Sequence, residues 1–422
     1  MLIQYLYSSF KQPRRLIATL SHKLLSSIIV AGRTTIRPWG LVLSTALLFV
    51  SGTLYGASAS IIPRAPEINA TSYILIDATT GHIIVEENAD EPLPPASLTK
   101  IMTTYIAIEE IIGGNLLPTD NVYISEKAWR MEGSKMFVEV DTEVSVEDLL
   151  RGIIVQSGND ASVAIAEHIA GSEDAFADMM NQYSEVLGLQ DSFFMNASGL
   201  DTEQYYNTMS ARDLAILARA TITRHTNYYP MYAEREFTYN DIRQPNRNTL
   251  LFRDRNVDGL KTGWTDAAGF CLVASAERDG MRLISVVMGT DSEESRAIET
   301  QKLFTYGFRY FETHRLYSKD QVLTTVPIWS GAQNTVELGV EDEAWLTIPR
   351  GQAETLTATI DVPQTIYAPL ADRQQMGTVN VMLNDELLYT ADVVTMQAIE
   401  QGGLFKRFND WLSLMLKSWT SD

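Results

Sequence analysis

The chain has 422 residues, 45% apolar and 20% charged, a composition that fits a globular protein of more than one domain. Residues 1–59 hold six basic side chains (Lys11, Arg14, Arg15, Lys23, Arg33, Arg37) and no Asp or Glu, so the remainder carries −26, the total of −20 less that +6. A body this acidic repels phosphate backbones and argues against nucleic acid as a partner, and a single cysteine, Cys271, rules out an intrachain disulfide.

Residues 40–60 read GLVLSTALLFVSGTLYGASAS. The apolar part is short for a membrane span and ends in Ala57-Ser58-Ala59, small residues at signal-peptidase spacing. Residues 1–59 therefore read as a signal peptide with a long basic n-region, with the mature chain starting near Ser60; an uncleaved signal anchor is the alternative. From Tyr73, two β-rich runs flank Thr80-Gly81 as a hairpin. A helix is expected from near Ser97 to about Ile112, where Gly113-Gly114 stops it. Two helical pieces over 145–170 are broken by QSGND, and further helices are expected over 173–187 and 209–222. The runs GFCLVASAER and MRLISVVMGT read as strands joined across Asp279-Gly280, followed by a helix over 295–314. Helices mixed with antiparallel strands give an α+β domain over 60–317.

Residues 318–400 hold short Thr/Val/Ile/Leu runs between Gly, Pro, Asn and Asp, a small all-β, sandwich-like domain with no helix signal before about Thr395. Residues 401–422 differ again. Leu404, Phe408, Trp411, Leu412, Met415 and Trp419 repeat along one helical face, with Lys406, Asp410, Ser413 and Lys417 opposite. Such an amphipathic helix suits a membrane surface; packing on the β domain is the other reading.

Three short signals carry chemistry. Ser97 and Lys100 form S-x-x-K, two positions that share a helix face. A serine hydroxyl needs a base to become a nucleophile, and a lysine that loses pKa in a dry, cationic pocket can be one. Taken alone, the pair also reads as a helix cap with a solvated lysine. Ser157-Gly158-Asn159 lies between helical pieces, where serine can relay a proton and asparagine can hold a carbonyl or amide; alone it is a loop. Lys261-Thr262-Gly263 puts a cation and a hydroxyl on a strand, with a glycine that permits close backbone approach; alone it is a strand end. His22, His82, His168, His225 and His314 are scattered without metal-ligand spacing, no phosphate loop appears, and Cys271 reads as a buried small hydrophobe.

The three signals occur in one order, with 57 positions from Lys100 to Ser157 and 102 from Asn159 to Lys261. In this the chain resembles the penicillin-recognising serine acyl-transferases, and more narrowly the D-alanyl-D-alanine carboxypeptidases among the low-molecular-mass penicillin-binding proteins. The resemblance runs from about residue 65 to the C-terminus through PPASLTKIMT, SGNDASVAIAEHIAGS, SARDLAILAR, FTYNDIRQPNRN and NVDGLKTGWTDAAGFCLVASAERDGMRLISVVMG. It implies a β-lactamase/transpeptidase-like domain, an antiparallel sheet flanked by helices, before the β domain and terminal helix. It implies Ser97 as acylated nucleophile, Lys100 as base, and Ser157, Asn159, Lys261, Thr262 and Gly263 as cleft walls. Lys261 is expected to depress the Lys100 pKa. The oxyanion hole would be the Ser97 and Trp264 backbone N–H groups, and Arg247 and Arg296 would lie near the substrate's terminal carboxylate, though a surface ion pair suits either arginine.

Trp264 departs from the His or Tyr common after Lys-Thr-Gly, which bears on substrate preference and deacylation. The expected partners are peptidoglycan stem peptides, β-lactams and, through the terminal helix, the periplasmic face of the inner membrane. No metal or organic cofactor is implied. Endopeptidase and β-lactamase chemistry on the same site are the nearest alternatives, although no E-x-x-L-N segment lies between Asn159 and Lys261. A non-catalytic envelope scaffold is the alternative of another class.

Overall fold

In the computed structural model, which describes residues 62–200 and 206–420, two units are distinguished: residues 62–316 with 345–350, and residues 317–344 with the chain after 350. The expected signal segment lies outside the described residues.

The first unit is built on strands that are apolar on both faces. Along β1 (Ser72–Asp77), Tyr73 and Leu75 enter one core while Ile74 and Ile76 enter the other, as the two-residue period of a strand requires. A turn with Gly81 at φ +75° leads to β2 (Ile83–Glu87). Helices α1 (Lys100–Ile112), α2 (Val146–Gln156), α3 (Asn159–Ala170), α4 (Glu173–Leu187) and α5 (Ala211–Arg224) follow. Serine side chains at 145, 172 and 210 accept a backbone N–H three residues on, the N-cap contact that fixes where α2, α4 and α5 begin. Strands β3 (Val257–Thr265), β4 (Gly269–Arg278) and β5 (Met281–Thr290) complete an antiparallel sheet of order β2-β1-β5-β4-β3. Residues of α1 to α5 share one core with Ile284 and Val286. Leu303, Phe304 and Phe308 of α6 (Glu293–Tyr310) cover the opposite face.

Helix α6 stops four residues before the expected end, because Phe311 is extended (φ −125°, ψ 160°) and buries its ring beside Phe304 and Phe308. Residues 311–317 then form a strand. Its β-branched and aromatic content favours that state over a further helical turn.

The second unit contains β6 (Val322–Trp329), β7 (Thr335–Gly339), β8 (Leu356–Asp361), β9 (Ile366–Tyr367), β10 (Gln375–Leu383) and β11 (Glu386–Thr395). They join in the order β8-β10-β11-β7-β6-β9, with only β6 and β9 parallel. Thr395 ends a strand, so no helix begins there. Helix α7 (Leu404–Thr420) is held against this unit by its polar side. Lys406 donates to Asn334, and Asp410 accepts from the Ser330 N–H at 2.9 Å. Among the described residues no helix is long and apolar enough to cross a membrane.

Candidate active site

Pro94-Pro95 cannot continue a helix from upstream, and Ala96 takes a positive φ of 48°, a conformation that costs a side-chain-bearing residue energy and recurs at functional sites. Residues Ala96–Thr99 then form a 3₁₀ turn that runs into α1. The expected helix start at Ser97 is thus a 3₁₀ turn, and Ser97 makes no side-chain cap. In that geometry positions i and i+3 eclipse, which stacks Lys100 on Ser97 with Nζ 3.0 Å from Oγ.

Lys100 is 1% exposed. Its Nζ also reaches Asn159 Oδ1 at 2.7 Å and the Ser198 carbonyl at 2.5 Å. Ser97 Oγ, Asn159 Oδ1 and Ser198 O thus match the three N–H bonds of the ammonium form, and loss of one proton would leave two of these bonds and turn the lone pair to the Ser97 hydroxyl. The lysine pKa is pushed down to about 7, first by burial, opposed by Asp160 and Glu173 and assisted by Arg247.

Ser157 sits between α2 and α3 in the left-handed region (φ 65°), and its Oγ is buried without a hydrogen-bond partner. Unpaired buried hydroxyls are rare and ask for an explanation. Asn159 opens α3, but both ends of its amide are used inside the protein. Oδ1 accepts from Lys100, Nδ2 donates to Glu132 O at 2.6 Å, and the backbone N–H donates to Ser134 O. Its amide therefore ties Lys100 to the 132–134 loop, where the sequence suggested a grip on substrate.

On β3, Lys261 is buried and donates to Thr262 O at 3.0 Å. Its pKa is pulled well below the usual lysine value by burial, then by Lys100, Arg247 and Arg296. Burial is the chief cause of the shift at both lysines, and the two amines lie close enough for each like charge to disfavour the other's ammonium form. At Gly263 a Cβ would lie 2.8 Å from Pro95 O. Only glycine lets the strand close on the Ser97 turn.

Ser97, Asn159, Arg247 and Trp264 line one cleft of about 630 Å³, together with Gly133, Ser134, Gly199, Leu200 and residues 265–267. Trp264 is 53% exposed, its ring tilted on Phe270. Arg247 donates to the Gln156 carbonyl at 3.0 Å, beside Ser157. Arg296 is buried, donates to Gly263 O at 3.2 Å and pairs with Glu293, so it braces the strand. A hollow of about 680 Å³ lies around Tyr229, Asp258 and Arg282, where Tyr229, Ser275, Asp258 and Arg282 satisfy one another. Cys271 is buried, with burial raising its thiol to about 11. Among the described residues no group of three or more His, Cys, Asp or Glu side chains is placed to hold a metal.

Two contributors have weak or no sequence signatures. Asp160 accepts from the N–H groups of Met136, Phe137 and Val138 (2.9, 2.8 and 3.2 Å) and fixes the stretch that follows the cleft residues Gly133 and Ser134. An acid in the first turn of a buried helix was its one signal. Ser198 serves through its carbonyl, which any residue supplies.

A family model described as D-alanyl-D-alanine carboxypeptidase matches residues 59–292, and one described as Penicillin-binding protein 5, C-terminal domain, matches residues 311–401. The chain is similar to the D-alanyl-D-alanine carboxypeptidase DacA of Escherichia coli (strain K12), 43% identical over 368 residues that cover 85% of this chain and 91% of that protein. It is also 41% identical to D-alanyl-D-alanine carboxypeptidase DacC of the same strain over 390 residues, 90% of this chain and 96% of that one. Penicillin binding protein 5 from Haemophilus influenzae superposes with a TM-score of 0.75 at 40% identity, covering 81% of this chain and 100% of that structure.

Proposed function

The chain belongs to the D-alanyl-D-alanine carboxypeptidase family, and from that membership we propose how its own residues carry out the reaction on peptidoglycan stem peptides. It is a serine D-Ala-D-Ala carboxypeptidase, acylated by β-lactams at the same site. The observation that carries the residue assignment is the buried Lys100 amine, 3.0 Å from Ser97 Oγ.

Ser97 Oγ attacks the carbonyl of the penultimate D-alanine while its proton passes to Lys100 Nζ. The developing oxyanion is taken by the Ser97 and Trp264 backbone N–H groups. The C–N bond breaks, the departing amine takes a proton through the unpartnered Ser157 hydroxyl, and D-alanine leaves. Water then adds to the acyl-serine carbonyl as Lys100 accepts its proton, which releases the shortened stem and restores Ser97. Lys261, Thr262 and Arg247 face the substrate's terminal carboxylate with positive charge and a hydroxyl, and Arg296 contributes charge from beneath. A β-lactam traps the first half of this sequence, because its amine stays tethered after ring opening.

The active form of the base is the neutral amine, so the rate of D-alanine release rises with pH through about 7 and falls about tenfold per unit below it. Release from a pentapeptide ending in D-Ala-D-Ala, followed between pH 5 and 8, measures this. A flat profile contradicts Lys100 as base. Faster cleavage of cross-linked muropeptides incubated in parallel moves the reading to an endopeptidase.

The anchoring of α7 at a membrane surface is part of the same reading. Lys406 and Asp410 engage the β unit, while Leu404, Phe405, Phe408, Trp411 and Leu412 are exposed, an apolar face suited to the headgroup boundary. With Ala57-Ser58-Ala59 as an export signal, the enzyme would work at the outer face of the cytoplasmic membrane. Deleting residues 402–422 is expected to abolish sedimentation with phospholipid vesicles and leave D-alanine release unchanged. Retained sedimentation contradicts the anchor.

A further inference from the structure

Glu173 is an acid that the reaction itself does not use. It is the first residue of α4 and is 7% exposed. Its Oε1 accepts from the Ala197 N–H at 3.1 Å, and its Oε2 pairs with Lys127 Nζ at 2.8 Å. The same peptide stretch meets α1 with two successive carbonyls. Ala197 O accepts from Thr103 Oγ1 at 2.6 Å, and Ser198 O accepts from Lys100 Nζ at 2.5 Å. A charged, nearly buried carboxylate thus holds the backbone one residue away from a carbonyl that orients the base.

We propose that Glu173 is a positioning residue for Lys100, acting through the Ala197–Ser198 backbone and through a charge that Lys127 partly offsets. The proposal rests on Lys100 being the acylation base. Charged groups face Lys100 from each neighbouring element: Asp160 from α3, Lys261 from β3, Arg247 from the loop before β3 and Glu173 from α4. Lys127 itself faces Glu173, Asp174 and Glu167. A negative Glu173 favours the ammonium form of Lys100, so it delays formation of the neutral base as pH rises, and Lys127 moderates that effect.

The test is the pH profile of acylation by a fluorescent penicillin in three full-length proteins. Glu173→Gln keeps an oxygen for the Ala197 N–H and removes the charge. Its acid limb is expected at lower pH, with acylation at pH 6 about threefold faster than wild type, the factor of a half-unit displacement. Lys127→Met leaves the Glu173 charge without its partner, and its limb is expected at higher pH. Lys127 is half exposed, so this variant keeps its fold and decides alone if Glu173→Gln does not fold. A Lys127→Met profile that superimposes on wild type, or one that scales equally at every pH, overturns the proposal. Absence of acylation in the wild-type protein would instead overturn the reading of the cleft.

Discussion

Lys100→Met is expected to slow acylation by a labelled penicillin about 10²- to 10⁴-fold, the span associated with losing a general base, and to flatten the dependence on pH. The thioether fills much of the volume of the lysine stem but cannot take the Ser97 proton. Its effect on folding is the balance of two terms. Removing a buried amine relieves a desolvation cost. The Asn159 Oδ1 and Ser198 O acceptors lose their donor, which costs about 1–3 kcal/mol for each buried group left unpaired. The opposing signs leave a folded protein whose melting temperature stays close to wild type, so stopped-flow acylation separates the chemical loss from unfolding. A variant that acylates near the wild-type rate would remove Lys100 from the mechanism.

Gly199→Ala is the second large effect, and it comes from crowding. Gly199 has φ +71°, and a Cβ there would lie 1.9 Å from Ala96 O and 2.6 Å from Thr99 Oγ1. The left-handed conformation costs an alanine about 1–2 kcal/mol, and forced overpacking adds about 1–3 kcal/mol. The atoms that must move belong to the turn carrying Ser97, so acylation should fall by about 10²-fold, the consequence of misplacing a reacting group by an ångström. Gly171→Ala is the control. Its φ is +80° with nothing within 4 Å, so it should lose about 1–2 kcal/mol of conformational preference and keep its acylation rate. Equal acylation in both variants would mean that the Gly199 contact does not hold the nucleophile.

What could be read from the sequence and what could not follow a physical line. The strands Gly269–Arg278 and Met281–Thr290 and the helix Glu173–Leu187 were legible residue for residue, because a hairpin turn, a serine cap and a terminal glycine are local signals. The end of α6 was not, since Phe311 leaves the helix to reach a core assembled from distant residues. The Ser97 and Lys100 pair was legible as side-chain types at fixed spacing, and Lys100 Nζ does meet Ser97 Oγ; Ser157 and Lys261 are buried near that pair rather than among the residues lining the cleft. The use of Asn159 to hold Lys100, the tether at Asp160 and the Ser198 carbonyl arise from contacts made across the fold. That burial, ahead of neighbouring charge, leads the shift at both lysines follows from how tightly the fold encloses them, which no spacing in the sequence displays.

The most direct test of the account is the site of covalent attachment. Wild-type protein is labelled with a fluorescent penicillin, digested, and its peptides mapped by mass. The account predicts one labelled peptide, modified at Ser97, and no label in a Ser97→Ala protein with an unchanged melting curve. Label on any other residue, or undiminished labelling of Ser97→Ala, would contradict it.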